Sequence, residues 1–276
     1  RFDFYDDYIS QLNDLGVNVI LVLNQETYWG DGNNNWNSGF FSSYAVDFAV
    51  QAGEIADHYQ GKVQAYEIWN EPDAGGDQAA PLGPGELNTL VEYANQTISE
   101  VDSAATIIAG GFLGDAPQIV QFMNGMSSGL DANGGVISSH PYTKGPDQLT
   151  PYLDTLLSSG ASQVWLTEIS SVATSYLSAP DDPEGAAEYV KDVYELLENY
   201  GSQVPAAVWF AWSDTQQDTS MGYFGLHDAA GARKEPLFTT FYQYACRAKV
   251  PDEDSAAKAD QNKPPLFILP RTEDLT

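Results

Sequence analysis

Short apolar runs alternate with amphipathic helical segments along most of this 276-residue chain. Each run has the length of a strand and follows a segment whose apolar residues recur at helical spacing, as Tyr44, Phe48, Ile55 and Tyr59 do. Strands that alternate with helices in this way lie parallel and are joined by right-handed crossovers. The pattern predicts an α/β fold in which helices cover a parallel sheet. The predicted strands are 17–23, 63–68, 106–112, 136–140, 163–167 and 206–212.

Periodicity alone fits both an open doubly wound sheet and a TIM (β/α)8 barrel. The position of the polar residues favours the barrel, because they follow the carboxyl ends of the predicted strands, where barrel enzymes carry their catalytic groups. These polar residues are Asn24, Asn70, Glu71, His140, Tyr142, Glu168 and Asp214. A nucleotide-binding sheet would need a glycine-rich turn after its first strand, and Gly110-Gly111 lacks the rest of that fingerprint. We therefore expect a barrel domain over residues 1–250 and a polar tail or linker over 251–276.

Composition narrows the set of partners. The chain has 39 acidic residues against 11 Lys and Arg, a formal net charge of −28, so its surface repels nucleic acid and anionic lipids. This excess fits a salt-adapted host and an ordinary acidic exported enzyme equally well. The single cysteine, Cys246, allows no internal disulfide or cysteine metal cluster, and no apolar stretch approaches the ~20 residues of a membrane span. We expect no metal and no cofactor, no nucleic acid or membrane partner, and an extracellular or cell-surface location.

Two glutamates stand at the ends of predicted strands. Glu71 lies in Trp-Asn-Glu-Pro after the second strand, and Glu168 ends the fifth. Each has a structural alternative: Asn70 could cap a helix that begins at Pro72, and Glu168 could be a strand-end carboxylate in water. Taken as a pair, the two carboxyl groups lie three strands apart and can face each other across a barrel. Hydrolysis of a glycosidic bond requires such a pair.

These residues resemble the retaining glycoside hydrolases of the (β/α)8 clan, in which an acid/base follows an asparagine on the fourth strand and a nucleophile ends the seventh. Families 5 and 39 are the nearest models, and the likeness extends over most of residues 2–246. The resemblance implies that Glu71 is the acid/base, that Glu168 is the nucleophile, and that a covalent glycosyl-enzyme forms. It implies a β-glycosidase with an oligosaccharide or polysaccharide substrate.

The resemblance also implies contacts around the two carboxyl groups. Asn70 would hydrogen-bond the sugar 2-hydroxyl, and Tyr142 would donate to Glu168. His140 would bind a sugar hydroxyl, although a histidine at a strand end is often only structural.

Aromatic residues near the end of the sixth strand resemble the platform beneath the reacting sugar in this clan. Trp212 takes that place, with Trp209 and Phe210 as alternative registers and barrel packing as the structural alternative. Further landmarks follow in Gly225-Leu226 and in Lys234-Glu235-Pro236, before the last helix.

The chain departs from the clan at its beginning. If Glu71 follows strand four, the first two barrel strands would precede residue 1, and Asn24 would represent the histidine of the third strand. The second-strand arginine of family 5 has no counterpart. We therefore expect an incomplete barrel of about six strands, unstable or inactive alone because it exposes two sheet edges.

An aromatic loop over residues 25–41 includes Trp29, which we expect to contact sugar, although packing explains such residues equally well. Three function classes stay open. The first is a retaining β-glycosidase, and the second is a non-catalytic carbohydrate-binding protein on a degenerate barrel. The third, an oxidoreductase or aldolase, is disfavoured because the sequence has no phosphate loop and no lysine at a strand end. The sugar, the choice between endo and exo action and the oligomeric state are not determined by the sequence.

Overall fold

The computed structural model describes residues 2–28, 35–37, 39–75, 80–142, 144–171, 175–179, 181–214 and 223–245, together with the backbone of 266–268. Helices and strands alternate as predicted. The helices are α1 (Asp3–Asp14), α2 (Phe41–His58), α3 (Pro84–Val101), α4 (Ala116–Met123), α5 (Ser127–Ala132), α6 (Pro146–Ser158), α7 (Pro183–Leu197) and α8 (Leu237–Ala245). The strands are β1 (Asn18–Leu23), β2 (Ala65–Ile68), β3 (Thr106–Phe112), β4 (Val136–Ser139), β5 (Gln163–Ile169), β6 (Ala207–Trp209) and β7 (Leu266–Ile268).

The strands form one sheet in the order β6-β5-β4-β3-β2-β1-β7, and each neighbouring pair is parallel. β1 to β6 curl into a half-barrel, which confirms the α/β class and the incomplete barrel. β2 and β5 are three steps apart in this order. Because the carboxyl ends of parallel strands share one rim, the segments after β2 and β5 meet across the concave side of the sheet.

Alternation along the strands divides the concave face into layers. One apolar layer contains one residue from each of β1 to β5 and the residue directly before β6. These residues are Ile20, Ala65, Ile108, Val136, Trp165 and Ala206. Successive side chains of a strand point to opposite faces, so residues two positions further on face the same way. These residues include Glu67, Ser138 and Thr167, all buried. A polar layer therefore lies above the apolar one, one step below the rim.

The larger core lies between the convex face of the sheet and the helices. Its largest fully buried side chains include Trp69, Tyr44 and Phe48, and the rings of Tyr44 and Phe48 both lie against the Trp69 indole. Burying an aromatic side chain of this size stabilises the fold by about 1.5–3 kcal/mol. Since Trp69 comes directly after β2, this packing anchors the backbone that carries Asn70 and Glu71.

Two features differ from the sequence-based expectations. β6 ends at Trp209 rather than at Trp212, because the backbone turns away from β5: Ala211 N–H donates to the Phe224 carbonyl, and Leu226 N–H donates to that of Ala211. Within the predicted tail, Leu266–Ile268 form β7 along β1 and also lie near β6. The rest of 251–276 lies outside the described residues, as does Cys246. The predicted boundary at residue 250 stays a prediction.

None of the described helices combines the length and the apolar character that a membrane crossing requires.

Candidate active site

The backbone after β2 adopts an unusual conformation that places Glu71 at the rim. Trp69 and Glu71 have φ values of 76° and 48°, in the left-handed region that non-glycine residues rarely enter. Each such residue costs about 1–3 kcal/mol, and surrounding contacts must hold it in place. Trp69 N–H donates to the Leu23 carbonyl, its indole N–H donates to Ala80 at 2.7 Å, and Glu71 N–H donates to Gly111 at 3.1 Å.

Glu168 lies near the carboxyl end of β5, and 12% of its side chain is exposed. The Tyr142 hydroxyl donates a hydrogen bond to its Oε2. This is the contact that the resemblance implies between the two side chains. The hydrogen bond from the phenol fixes the orientation of the carboxylate.

His140 brings the two glutamates together. Its Nδ1 lies 3.0 Å from Glu71 Oε1 and 3.8 Å from Glu168 Oε2. The nearest ligating atoms of these three residues all lie within 4.8 Å of one another. A retaining glycosidase places its two carboxyl groups about 5 Å apart, whereas an inverting one needs a wider gap to hold a water molecule. Glu71 and Glu168 therefore have the narrower of these two spacings.

Burial disfavours a charge on His140, but the surrounding carboxylates outweigh it. Glu168 contributes most, followed by Glu71 and Glu67, and together they raise the pKa of His140 to about 9. A pKa in this range favours the imidazolium at neutral pH, and an imidazolium can donate from both nitrogens. The imidazolium offsets part of the negative charge of the carboxyl groups around it.

The sequence interpretation missed Glu67. This residue is 1% exposed, and its Oε1 lies 3.9 Å from His140 Nε2. Burial, with a smaller contribution from the charge of Glu168, raises its pKa to about 7, although His140 and the hydroxyls of Thr167 and Ser138 oppose the shift. The available signal in the sequence was an acidic residue inside the otherwise apolar strand β2, shortly before Glu71.

Gly111 provides the space for this cluster. A Cβ atom there would lie 2.6 Å from Glu67 Oε1 and 3.2 Å from His140 Nε2, and its φ is +71°. We expect Gly111→Ala to lower the free energy of unfolding by about 2 kcal/mol or more and to displace His140. Urea denaturation and kcat/KM would measure the two effects.

The matched control is Gly61→Ala. Gly61 has a φ of +70°, but a Cβ atom added there would have no neighbour within 4 Å, so the substitution carries only the backbone cost. We expect this variant to lose about 1 kcal/mol of stability and to keep its activity. Equal behaviour of the two variants would show that the contact at Gly111 is unimportant.

The other residues predicted to contact sugar are Asn70, Asn24 and Trp29. Asn70 is partly buried directly before Glu71. Asn24 shapes the loop after β1, since its Oδ1 accepts a hydrogen bond from Glu26 N–H at 2.9 Å. Trp29 lies outside the described residues.

Trp212 and Phe210, two of the three aromatic candidates at the end of β6, contact different parts of the structure. Trp212 is 61% exposed, and its ring lies 4.5 Å from that of His227. Phe210 instead meets Tyr142 edge to face with ring centroids 5.9 Å apart, and Tyr142 binds Glu168. Among the described ring contacts, Phe210 is therefore the register linked to the carboxylates.

Lys234, one of the landmarks before the last helix, is buried and paired with two carboxylates. Lys234 Nζ lies 3.1 Å from both carboxylate oxygens of Asp214 and 2.7 Å from Asp181. Asp214 also accepts a hydrogen bond from Gly225 N–H at 2.7 Å. Asp214 thus holds the rim segments together, and its carboxylate is occupied by a structural ion pair.

Glu71, His140 and Glu168 are close enough to surround a cation, but their atoms are already engaged with one another and with Tyr142. We interpret them as a hydrogen-bonded acid–base cluster. A polar groove at the opposite end of the sheet is lined by residues that include Asn133 and Gln163. It lies at the amino ends of the strands, away from the rim where barrel chemistry takes place, and we assign it no role.

A curled parallel sheet with paired glutamates at its carboxyl rim is the arrangement of a barrel-type glycoside hydrolase. Residues 27–239 match the family model described as glycosyl hydrolase catalytic core, and the chain belongs to that family. A comparison with curated proteins gives no significant match.

Solved structures share the fold at low sequence identity. A psychrophilic family 10 endo-β-1,4-xylanase has 14% identity and a TM-score of 0.62, with 86% of this chain and 80% of that chain covered. A family 39 glycoside hydrolase from Bacteroides cellulosilyticus WH2 has 18% identity and a TM-score of 0.63, with coverages of 87% and 52%. A glucosidase from Croceicoccus marinus has 16% identity and a TM-score of 0.65, with coverages of 89% and 54%. This chain therefore spans most of the xylanase but about half of the other two.

Proposed function

We propose that this glycoside hydrolase cleaves β-linked O-glycosides with retention of configuration, through a covalent glycosyl-enzyme. The observation that carries the proposal is the spacing of Glu71 and Glu168, whose nearest oxygens lie within 4.8 Å of each other. That gap suits direct attack by a carboxylate and leaves little room for an attacking water.

In the first step, Glu168 attacks the anomeric carbon while Glu71 gives its proton to the departing oxygen. The bond to the leaving group breaks as the bond to Glu168 forms. Tyr142 holds Glu168 in the attacking orientation, and its hydrogen bond to Oε2 leaves the attack to the other carboxylate oxygen.

In the second step, Glu71 takes a proton from water, and the resulting hydroxide attacks the same carbon and releases Glu168. Negative charge therefore moves from Glu168 to Glu71 in the first step and returns to Glu168 in the second. The His140 Nδ1 lies between the two, 3.0 Å from one and 3.8 Å from the other, so it can stabilise the charge in both states.

The substrates named for the structural neighbours guide the choice of probe. These neighbours include a β-1,4-xylanase, a glucosidase and an exo-β-1,4-mannosidase. We propose that the substrate of this chain is a β-linked oligosaccharide or polysaccharide of such neutral sugars. The acidic surface, with a net charge of −28, favours uncharged chains over polyuronides.

The test is a panel of aryl β-xylosides, β-glucosides and β-mannosides together with the corresponding polymers. Proton NMR of the first product formed should show the β-anomer before mutarotation. An α-anomer as first product would contradict retention. Binding of the polymers with no hydrolysis would favour a carbohydrate-binding protein.

A further inference from the structure

Glu67 is a buried acidic group that the reaction described above does not use. It lies on the concave face of β2, 1% exposed, and among the described residues its Oε2 has no hydrogen-bond partner. A buried carboxyl group with an unsatisfied oxygen costs stability, so a chain that only needed to fold would fill this position with an apolar residue. The neighbouring inward position on the same strand, Ala65, is apolar.

Within the described part of the chain, the ring of His140 is the one cationic group that faces Glu67. The two nitrogens of this ring face different neighbours. Nδ1 faces Glu71 and Glu168, whereas Nε2 lies 3.2 Å from Thr167 Oγ1 and 3.9 Å from Glu67 Oε1. A neutral imidazole carries a proton on one nitrogen only, but an imidazolium donates from both.

The titratable groups around His140 come from three parts of the fold. Glu67 and Glu71 come from β2 and the segment after it, Glu168 from β5, and Tyr142 from the segment after β4. During the reaction Glu71 loses and regains a proton and Glu168 loses and regains its negative charge, so neither holds the ring in one protonation state throughout. Glu67 takes no part in that exchange and is closed off from solvent.

We propose that Glu67 is a positioning residue whose charge keeps His140 protonated, so that Nδ1–H is available to Glu71 and Glu168 in every state of the reaction. The inference rests on the proposed function for its role in turnover, but the electrostatic link between Glu67 and His140 is independent of it. The Gly111 backbone supports the contact, because any side chain there would push the two residues apart.

The test is Glu67→Gln, which keeps the size of the side chain and removes its charge. The chain contains three histidines, so selective ¹⁵N labelling gives a spectrum in which His140 can be followed beside His58 and His227. We expect His140 in the unchanged protein to carry protons on both nitrogens at pH 7.5. In the variant, the midpoint of its titration should fall by about one pH unit or more, because the imidazolium loses a nearby negative charge.

Two further variants separate charge from packing. Glu67→Asp keeps the charge but leaves a gap, and its His140 midpoint should stay closer to that of the unchanged protein than the glutamine variant does. Glu54→Gln removes a carboxylate on α2, outside the cluster, and should leave the His140 midpoint unchanged. If the glutamine variant does not fold, the titration of His140 in the unchanged protein still tests the link, because a ring that is neutral at pH 7.5 would contradict it.

Kinetics provide the second readout. If the protein hydrolyses glycosides, the alkaline limb of kcat/KM should move to lower pH in Glu67→Gln, in parallel with the His140 midpoint. A shifted midpoint in a protein with no turnover would support the link and overturn the proposed reaction. A His140 ring that is neutral at pH 7.5, or one with the same midpoint in both proteins, would overturn the inference.

Discussion

Glu168→Gln is expected to lower kcat for an aryl β-glycoside by a factor on the order of 10⁴ or more. The amide has the size of the carboxylate and can still accept the hydrogen bond from Tyr142, so the site should keep its shape. It lacks the negative charge and the nucleophilic oxygen that form the bond to the anomeric carbon. With the covalent route closed, water has little room to attack, because the Glu71 carboxyl group lies so close.

The matched control is Glu100→Gln, at an exposed position near the end of α3, which should keep full activity. Circular dichroism and urea denaturation would establish that both variants fold. A 2-deoxy-2-fluoro aryl glycoside should label Glu168 in the unchanged protein, because the fluorine slows release of the glycosyl-enzyme, and mass spectrometry of the digest would locate the label. A Glu168→Gln variant that keeps a tenth or more of the activity would rule out Glu168 as the nucleophile.

The positions of Glu71, His140 and Glu168 could be inferred from the sequence because each stands at or just after the end of an apolar run. In a parallel sheet all such ends share one rim, so sequence position converts directly into spatial proximity. The helix–strand alternation that fixes this rim depends on hydrophobic periodicity, which is strong in α1 and α7 and survives small errors in the strand boundaries.

Glu67 could not be assigned in the same way, because its role depends on which face of β2 lies inside the curl. The register that sets this face pairs Glu67 with Val22 on one side and with Ile108 on the other. Both of these partners are apolar, and the sequence alone does not show that His140 comes to lie beside Glu67.

The aromatic register after β6 depends on hydrogen bonds that no local pattern predicts. Ala211 pairs with Phe224, a residue distant along the chain, and this turn sends Phe210 toward Tyr142 and Trp212 toward His227. Because Trp209, Phe210 and Trp212 are all aromatic, residue type alone could not show which of them lies near the carboxylates. β7 was missed for a similar reason, since a run of three apolar residues is too short to carry a periodic signal.

Glu71→Ala is expected to separate substrates by the quality of their leaving group. For a glycoside with a poor leaving group, such as a methyl glycoside or a polymer, loss of the general acid should lower kcat/KM by about 10²–10⁴. A dinitrophenyl glycoside departs without a proton, so its kcat/KM should change far less. Its kcat should still fall, because without the base at Glu71 the glycosyl-enzyme accumulates and its hydrolysis limits turnover.

Azide makes this prediction specific to one residue. The small anion can enter the space left by the side chain and attack the glycosyl-enzyme without a base, so it should restore kcat in Glu71→Ala and yield a glycosyl azide. Retention requires that azide be β-linked, since it attacks from the face where Glu71 stood. Glu168→Ala, by contrast, opens the opposite face, and any azide product there should be α-linked. The same anion thus reports on which carboxyl group stands on which side of the sugar. Equal losses for methyl and dinitrophenyl glycosides, with no azide product, would mean that Glu71 serves the fold rather than the reaction.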